Sequence, residues 1–277
     1  MPPKGHAVLS ASSSERWLNC PPSARLCEAY EDKGSDYAAE GTDCHALCEM
    51  RLKQALGIPA EDIIESLSWY NPEMEDCAEA YAAYVLEIVE TAKQTCADPV
   101  VCIEQRVDFS RWVQDGFGTA DCIVIADGVM NIVDYKHGKG VEVSAVGNPQ
   151  MRLYALGALE IFDGIYDIDT IRMTIFQPRK GNVSTDCIEK AALLEWAEGE
   201  LSEKAKLAYD GQGDFRCGEW CRFCKVKATC RTHAETVVDG VSDFDLMQPP
   251  LLSLTELGLL LTKCQPLLDY AKAAEEY

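Results

Sequence analysis

Residues 118–136 read GTADCIVIADGVMNIVDYK, and this stretch constrains the fold more than any other. Two apolar runs, 122–126 and 129–133, flank Asp127-Gly128. Asp-Gly between such runs predicts a β-hairpin with a two-residue turn, because a type I′ turn needs positive φ at both central residues. With that loop, Ala126 faces Val129, and Asp121 stands opposite Asp134 with Cβ atoms about 5 Å apart. Alternation puts Ile123, Ile125, Met130 and Ile132 on the same face, with Lys136 two residues past Asp134.

An apolar face therefore ends in two opposed carboxylates and a lysine. Like charges facing each other destabilise a sheet, and a divalent cation between them removes the repulsion. Mg²⁺ suits such a site, since it takes carboxylates and keeps waters that include a nucleophile. The lysine would orient or deprotonate that water, or neutralise a phosphate. The competing expectation is a surface hairpin end with ordinary charges. Both strand faces are apolar, which favours a buried hairpin.

A chain of 277 residues suffices for one large domain or two small ones. No apolar run approaches a membrane span, and the N-terminal MPPKGHAVLSASSSERW lacks the apolar core of a signal peptide. The expectation is a cytoplasmic protein with no membrane contact. The net charge of −21 argues against broad electrostatic wrapping of a duplex, while leaving room for a local basic channel. Of the 14 cysteines, Cys48, Cys77, Cys96, Cys102, Cys122 and Cys187 lie singly in apolar segments and read as small buried hydrophobes, kept reduced.

Along the chain, the serines of 9–30 predict a capped short helix that Pro21-Pro22 stops. Residues 38–57 predict a helix with Thr42 as N-cap and Gly57 as stop, carrying His45 and Glu49 on one face. A second helix is expected over 72–96 and a strand over 100–107, with Glu104 a candidate third carboxylate. Residues 108–117 read as a connection with Trp112 exposed or edge-packed. Pro149 opens a helix over 149–161, in which Gln150 and Tyr154 share a face that can touch DNA. Strands follow at 171–177 and 183–188, with a basic turn between them, then a helix over 191–209.

The segment FRCGEWCRFCKVKATCR, 215–231, has the spacing C-x3-C-x2-C-x5-C. Four cysteines this close in a reduced chain read as a zinc or iron–sulfur site. Arg216, Arg222, Lys225, Lys227 and Arg231 make it the most basic window, where nucleic-acid contact is expected. Residues 236–252 read as a linker. A helical pattern runs from Ser253 to Tyr277 without a stop signal, so the chain is expected to continue past it.

The ordered elements Gly41-Thr42-x-x-His45, Gly118-x-x-Asp121, Asp134-x-Lys136 and Gln150-x-x-x-Tyr154 resemble the PD-(D/E)XK nuclease superfamily, in its RecB-like and Cas4-like branch. The N-terminal LSASSSERWLNCPPSARL resembles phage and prophage proteins of the DUF2800 family. The likeness covers about residues 9–235. It implies an α/β, restriction-endonuclease-like core, a mixed central sheet flanked by helices. The nuclease domain would span 1–235, followed by the linker and the start of a C-terminal helical region. His45, Asp121, Asp134 and the Tyr135 carbonyl would bind Mg²⁺ or Mn²⁺, Lys136 would position the attacking water, and Gln150 and Tyr154 would support the site or the DNA strand. A 4Fe–4S cluster would sit on Cys20, in the setting Trp17-x-x-Cys20-Pro21, with Cys221, Cys224 and Cys230, closing the fold around DNA. Asp134 stands where many members have glutamate. Cys217 is surplus and opens a second reading, a zinc knuckle of Cys217, Cys221, Cys224 and Cys230.

The implied activity is metal-dependent DNA cleavage, an exonuclease on single strands or duplex ends in phage recombination or replication. The implied setting is a bacterial host cell, with a phage single-strand-binding protein or recombinase as partner. Two other expectations stand beside it: a non-catalytic DNA-binding or assembly module, and a zinc-knuckle protein binding RNA or protein.

Overall fold

The computed structural model describes residues 7–30, 34–238 and 251–276. Helices α1 (Ser14–Asn19), α2 (Ser23–Glu28), α3 (Asp36–Ala55) and α4 (Pro72–Ala92) come first. Strands β1 (Val100–Asp108), β2 (Phe117–Ala126) and β3 (Val129–Tyr135) lead to helix α5 (Pro149–Phe162), then to β4 (Thr170–Gln177) and β5 (Asn182–Glu189). Helix α6 (Lys190–Trp196), a π-helical turn (Ala197–Leu201) and α7 (Ser202–Asp210) follow, then α8 (Arg231–Val238) and α9 (Leu254–Glu276). The described residues form two compact units: 7–15 with 34–206, and 16–30 with 207–238 and 251–276. Most of the expected linker lies outside the described residues. No helix among them is long and apolar enough to cross a membrane.

The first unit is built on a five-stranded sheet in the order β1-β2-β3-β4-β5. Only β3 and β4 run parallel. A parallel pair needs a crossover, and α5 supplies it. The hairpin forms in the expected register, from Ala126 opposite Val129 to Cys122 opposite Val133. Asp127 and Gly128 have φ of 52° and 75°, the signs a type I′ turn requires.

Alternation divides the sheet's two faces. Cys122, Val124, Val133, Tyr135 and Phe176 pack with Leu47 of α3 and Met74, Tyr81 and Val85 of α4. Ile123, Ile125, Met130 and Ile132 point the other way and are also buried. Helix α5 touches β1, β2, β3 and β4 and shares no residue with the α3–α4 cluster, so it covers that second face. Each such side chain, fully buried, contributes about 1.5–3 kcal/mol. Burial on both faces is what makes both strands of the hairpin apolar throughout.

Three expectations are corrected. Helix α3 begins about two turns earlier than Thr42: Ser35 is the N-cap and its side chain accepts the Ala38 N–H at 3.1 Å. Thr42 lies inside the helix and its hydroxyl donates to the Ala38 carbonyl at 3.0 Å. Serine and threonine offer the same capping oxygen, so spacing from the apolar positions alone misplaces the start. Trp112 is 7% exposed rather than edge-packed, because residues 109–116 fold back through Phe109 N–H to the Gly116 carbonyl. The helix expected over 191–209 is split by the π turn at 197–201.

Ser35→Ala is expected to cost about 1 kcal/mol of stability, the usual value of a lost N-cap. Thr42→Ala replaces a β-branched residue by a better helix former and leaves stability unchanged or raised. Urea denaturation of the two variants measures the difference.

Candidate metal centre

The hairpin ladder stops one pair short of the carboxylates. Instead of pairing with Asp134 through the backbone, Asp121 turns its side chain onto β3, and its Oδ2 accepts the Tyr135 N–H at 2.7 Å. The other neighbour opens at the same level. Pairing of β1 with β2 runs to Ile103–Cys122 and resumes at Gln105–Ala120, leaving Glu104 opposite Asp121 with φ of 50°. A left-handed glutamate in a strand is strained. That strain turns a third carboxyl to the point where the first two gather.

His45 reaches this point from α3, its Nδ1 3.5 Å from Asp121 Oδ2. One ligand atom each of His45, Glu104 and Asp121 lies within 4.8 Å of the others, and among the described residues no other set of three meets that distance. Asp134 is outside the trio but adjoins it, 2% exposed, with Oδ2 2.8 Å from Lys136 Nζ. The Lys136 ammonium is thus this buried oxygen's partner, through charge more than through an aligned hydrogen bond. Lys136 in turn donates to Gln150 Oε1 at 3.1 Å. Gln150 Nε2 lies 3.4 Å from Asp134 Oδ1 and donates to the Tyr154 hydroxyl at 3.0 Å. Asn148 fixes this end of α5, its Oδ1 accepting the N–H of Gln150 at 3.0 Å and of Met151 at 3.3 Å. A β-carbon at position 118 would lie 2.7 Å from Tyr154 Cε1, so Gly118 is what lets the tyrosine lie against β2.

Charge is concentrated here. Burial, with Asp121 nearby, pushes the Glu104 carboxyl up to about 7. Burial also raises Asp134, against the pull of Lys136. Burial opposes the imidazolium of His45, but the Asp121 carboxylate overrides it and raises His45 to about 9. One imidazole and three carboxyls, one of them buried against Lys136, fit a hard divalent cation, which takes oxygen ligands and displaces the imidazole proton.

Sequence reasoning named His45, Asp121, Asp134, Lys136, Gln150 and Tyr154, and all six gather at this end of the sheet. It ranked Glu104 below Asp134, since nothing in the sequence marks a strained strand residue. It missed His137, whose Nδ1 lies 2.9 Å from the Tyr135 hydroxyl.

The second unit holds Cys20 and the cysteines of the 217–230 window. One cavity is lined by Cys20, Cys221, Cys224 and Cys230, together with Arg16, Trp220 and other side chains. Cys217 is not part of that lining. The sequence reading missed Cys27 of α2, whose sulfur is 3.8 Å from that of Cys224. The signal available in the sequence was only that Cys27 follows Cys20 by seven residues.

A family model described as "Protein of unknown function (DUF2800)" matches residues 6–277. The chain belongs to the DUF2800 family. Among solved structures, one described as "Crystal structure of SSO0001" is similar at 13% identity, over 68% of this DUF2800 chain and 95% of its own, with a TM-score of 0.28. A likeness that slight bears on neither fold nor function.

Stability of the DUF2800 protein in EDTA is expected to depend on Glu104. Its folded pKa, about 7, is raised above the ordinary 4.5. A raised carboxyl favours the fold fully below the lower value and loses that contribution as pH rises through the higher one. Melting curves in EDTA should show Glu104→Gln gaining on wild type between those values, with the largest gap above pH 7.

Proposed function

We propose that this DUF2800 protein is a metal-dependent deoxyribonuclease of the PD-(D/E)XK kind, hydrolysing phosphodiester bonds in DNA. One observation carries the reading: the ligand atoms of His45, Glu104 and Asp121 converge within 4.8 Å of one another beside the buried Asp134–Lys136 ion pair. A surface cluster of charges has no reason to bury a carboxyl as deeply as Asp134. His45, Asp121 and Asp134, with the Tyr135 carbonyl, would hold Mg²⁺ or Mn²⁺, and Glu104 adds a carboxyl within reach.

The bound cation supplies a polarised water and neutralises charge at the phosphate. The protein's own groups do the rest. Tyr135 N–H fixes Asp121. Gln150, braced by Tyr154, holds the Lys136 ammonium over Asp134, where it orients the attacking water and meets the charge developing on the phosphate. Action on single strands or duplex ends, in phage recombination or replication with a single-strand-binding protein or recombinase, follows from the family resemblance. The acidic whole, −21, with a basic window at 216–231, suits a narrow DNA contact rather than wrapping.

We also infer a 4Fe–4S cluster on Cys20, Cys221, Cys224 and Cys230. Tetrahedral zinc, with Zn–S of about 2.3 Å, brings its thiolates to roughly 3.8 Å from each other. The Cys27 and Cys224 sulfurs are 3.8 Å apart, but among the described residues no three cysteine sulfurs lie within even 4.8 Å. Four thiols spaced around a cavity suit a cube, where each binds a different iron. Cys217 does not line the cavity, though its thiol lies beside that of Cys221.

Asp134→Ala and Lys136→Ala should each lower Mn²⁺-dependent DNA cleavage by about 100-fold or more, and EDTA should abolish it in wild type. Cleavage untouched by either change would sink the assignment, and a protein that binds Mn²⁺ and DNA without cutting would be a binding module. For the cysteines, anaerobically purified wild type should be brown and iron-loaded, and Cys20→Ser should lose iron and visible absorbance. A colourless zinc protein indifferent to that change would exclude the cluster.

A further inference from the structure

We propose that Tyr135, pinned through its hydroxyl by His137 and Glu40, is the positioning residue that sets His45 against Asp121. The proposal rests on the divalent-cation reading above and assigns a role to groups which that reading leaves unused.

Tyr135 is fully buried and meets the site on two sides. Its N–H holds Asp121, and its ring meets the His45 ring edge-on, centroids 5.5 Å apart at 88°. The orientation of His45 therefore depends on the orientation of the tyrosine ring. Behind the sheet, the Tyr135 hydroxyl touches His137 Nδ1 at 2.9 Å and Cys44 Sγ at 3.2 Å. His137 Nε2 lies 3.2 Å from Glu40 Oε1, which also accepts from Arg179 Nη1 at 3.0 Å.

The proton directions follow from the ends. A carboxylate only accepts, so Nε2–H donates to Glu40. In the tautomer with that one ring proton, Nδ1 accepts from the Tyr135 O–H, and the Cys44 S–H donates to the tyrosine oxygen. Each hydrogen is used once, and Arg179 balances the Glu40 charge. A hydroxyl in a dry core costs free energy unless it is paired, and phenylalanine would fill the same space. What the hydroxyl adds is a fixed ring angle. Glu40 and Cys44 are four residues apart on α3, immediately before His45. The chain of bonds thus ties α3 to the end of β3, the two elements that bring His45 and Lys136 to the cation. Partners behind a metal ligand typically change affinity 10–100-fold when removed.

The test is a double-mutant cycle on the full chain, with Mn²⁺ affinity read by electron paramagnetic resonance and melting followed in EDTA. Tyr135→Phe should weaken Mn²⁺ binding about 10-fold, with folding intact in EDTA. In a His45→Ala background the same change should have almost no further effect, because the tyrosine acts through the histidine. His137→Asn, whose amide oxygen still accepts the Tyr135 hydroxyl, should bind Mn²⁺ better than His137→Ala. Wild-type affinity in Tyr135→Phe, or an equal loss with and without His45, overturns the proposal. Should Tyr135→Phe not fold, His137→Ala takes its place in the cycle with the same outcomes. Wild type that binds no Mn²⁺ overturns the divalent-cation reading itself and this proposal with it. A normal wild type with an unaffected Tyr135→Phe removes the proposal alone.

Discussion

Carboxyls crowded into a buried corner repel each other, and at this end of the sheet every nearby element is bent to answer that repulsion. Asp121 leaves the ladder to take a backbone N–H. Lys136 folds over Asp134. Helix α3 contributes His45 and α5 contributes Gln150, and the glutamate of β1 adopts a left-handed backbone opposite Asp121. Nothing in packing alone asks for this. Replacing the polar groups with aliphatic ones would give a better core and a longer ladder. The free energy given up locally is supplied by the two apolar faces of the sheet, which bury the same strands over most of their length.

The hairpin was legible in the sequence because its determinants are local. Asp-Gly dictates the turn, the turn dictates the register, and the register brings Asp121 level with Asp134. The helix faces carrying His45, Gln150 and Tyr154 were legible for the same reason, since a four-residue step fixes a shared face. What escaped was decided by the tertiary fold. The break in β1 at Glu104 responds to a neighbour seventeen residues away. His137 looks like one more loop residue until Tyr135 and Glu40 are placed beside it. Cys27 sits on its own short helix, and only the folded second unit brings it to Cys224. The start of α3 was misplaced because two residues of equal capping chemistry compete and the sequence does not rank them.

The two units differ in how they are held. The first has a continuous apolar interior around the sheet. In the second, Cys27, Cys224 and Val226 form a small buried cluster of their own, supported by Arg25 stacked on Tyr209 at 4.3 Å. Trp17, Leu18 and Ala24 add buried apolar surface to these separate short segments. The basic side chains Arg222, Lys225 and Lys227 are exposed there, alternating with buried Cys221, Cys224 and Val226. The arrangement keeps thiols inward and cations outward along one short stretch.

That second unit is also discontinuous in the chain, and this has a consequence for synthesis on the ribosome. Cys20 and Cys230 are separated by 210 positions. At roughly 5–20 residues per second, the early thiols wait on the order of 10–40 s before their late partners emerge. The sheet of the first unit is translated entirely within that interval and can fold first. Cys20 and Cys27 therefore spend the wait without the partners that later bury them. A reducing environment keeps those early thiols free until the late segment arrives.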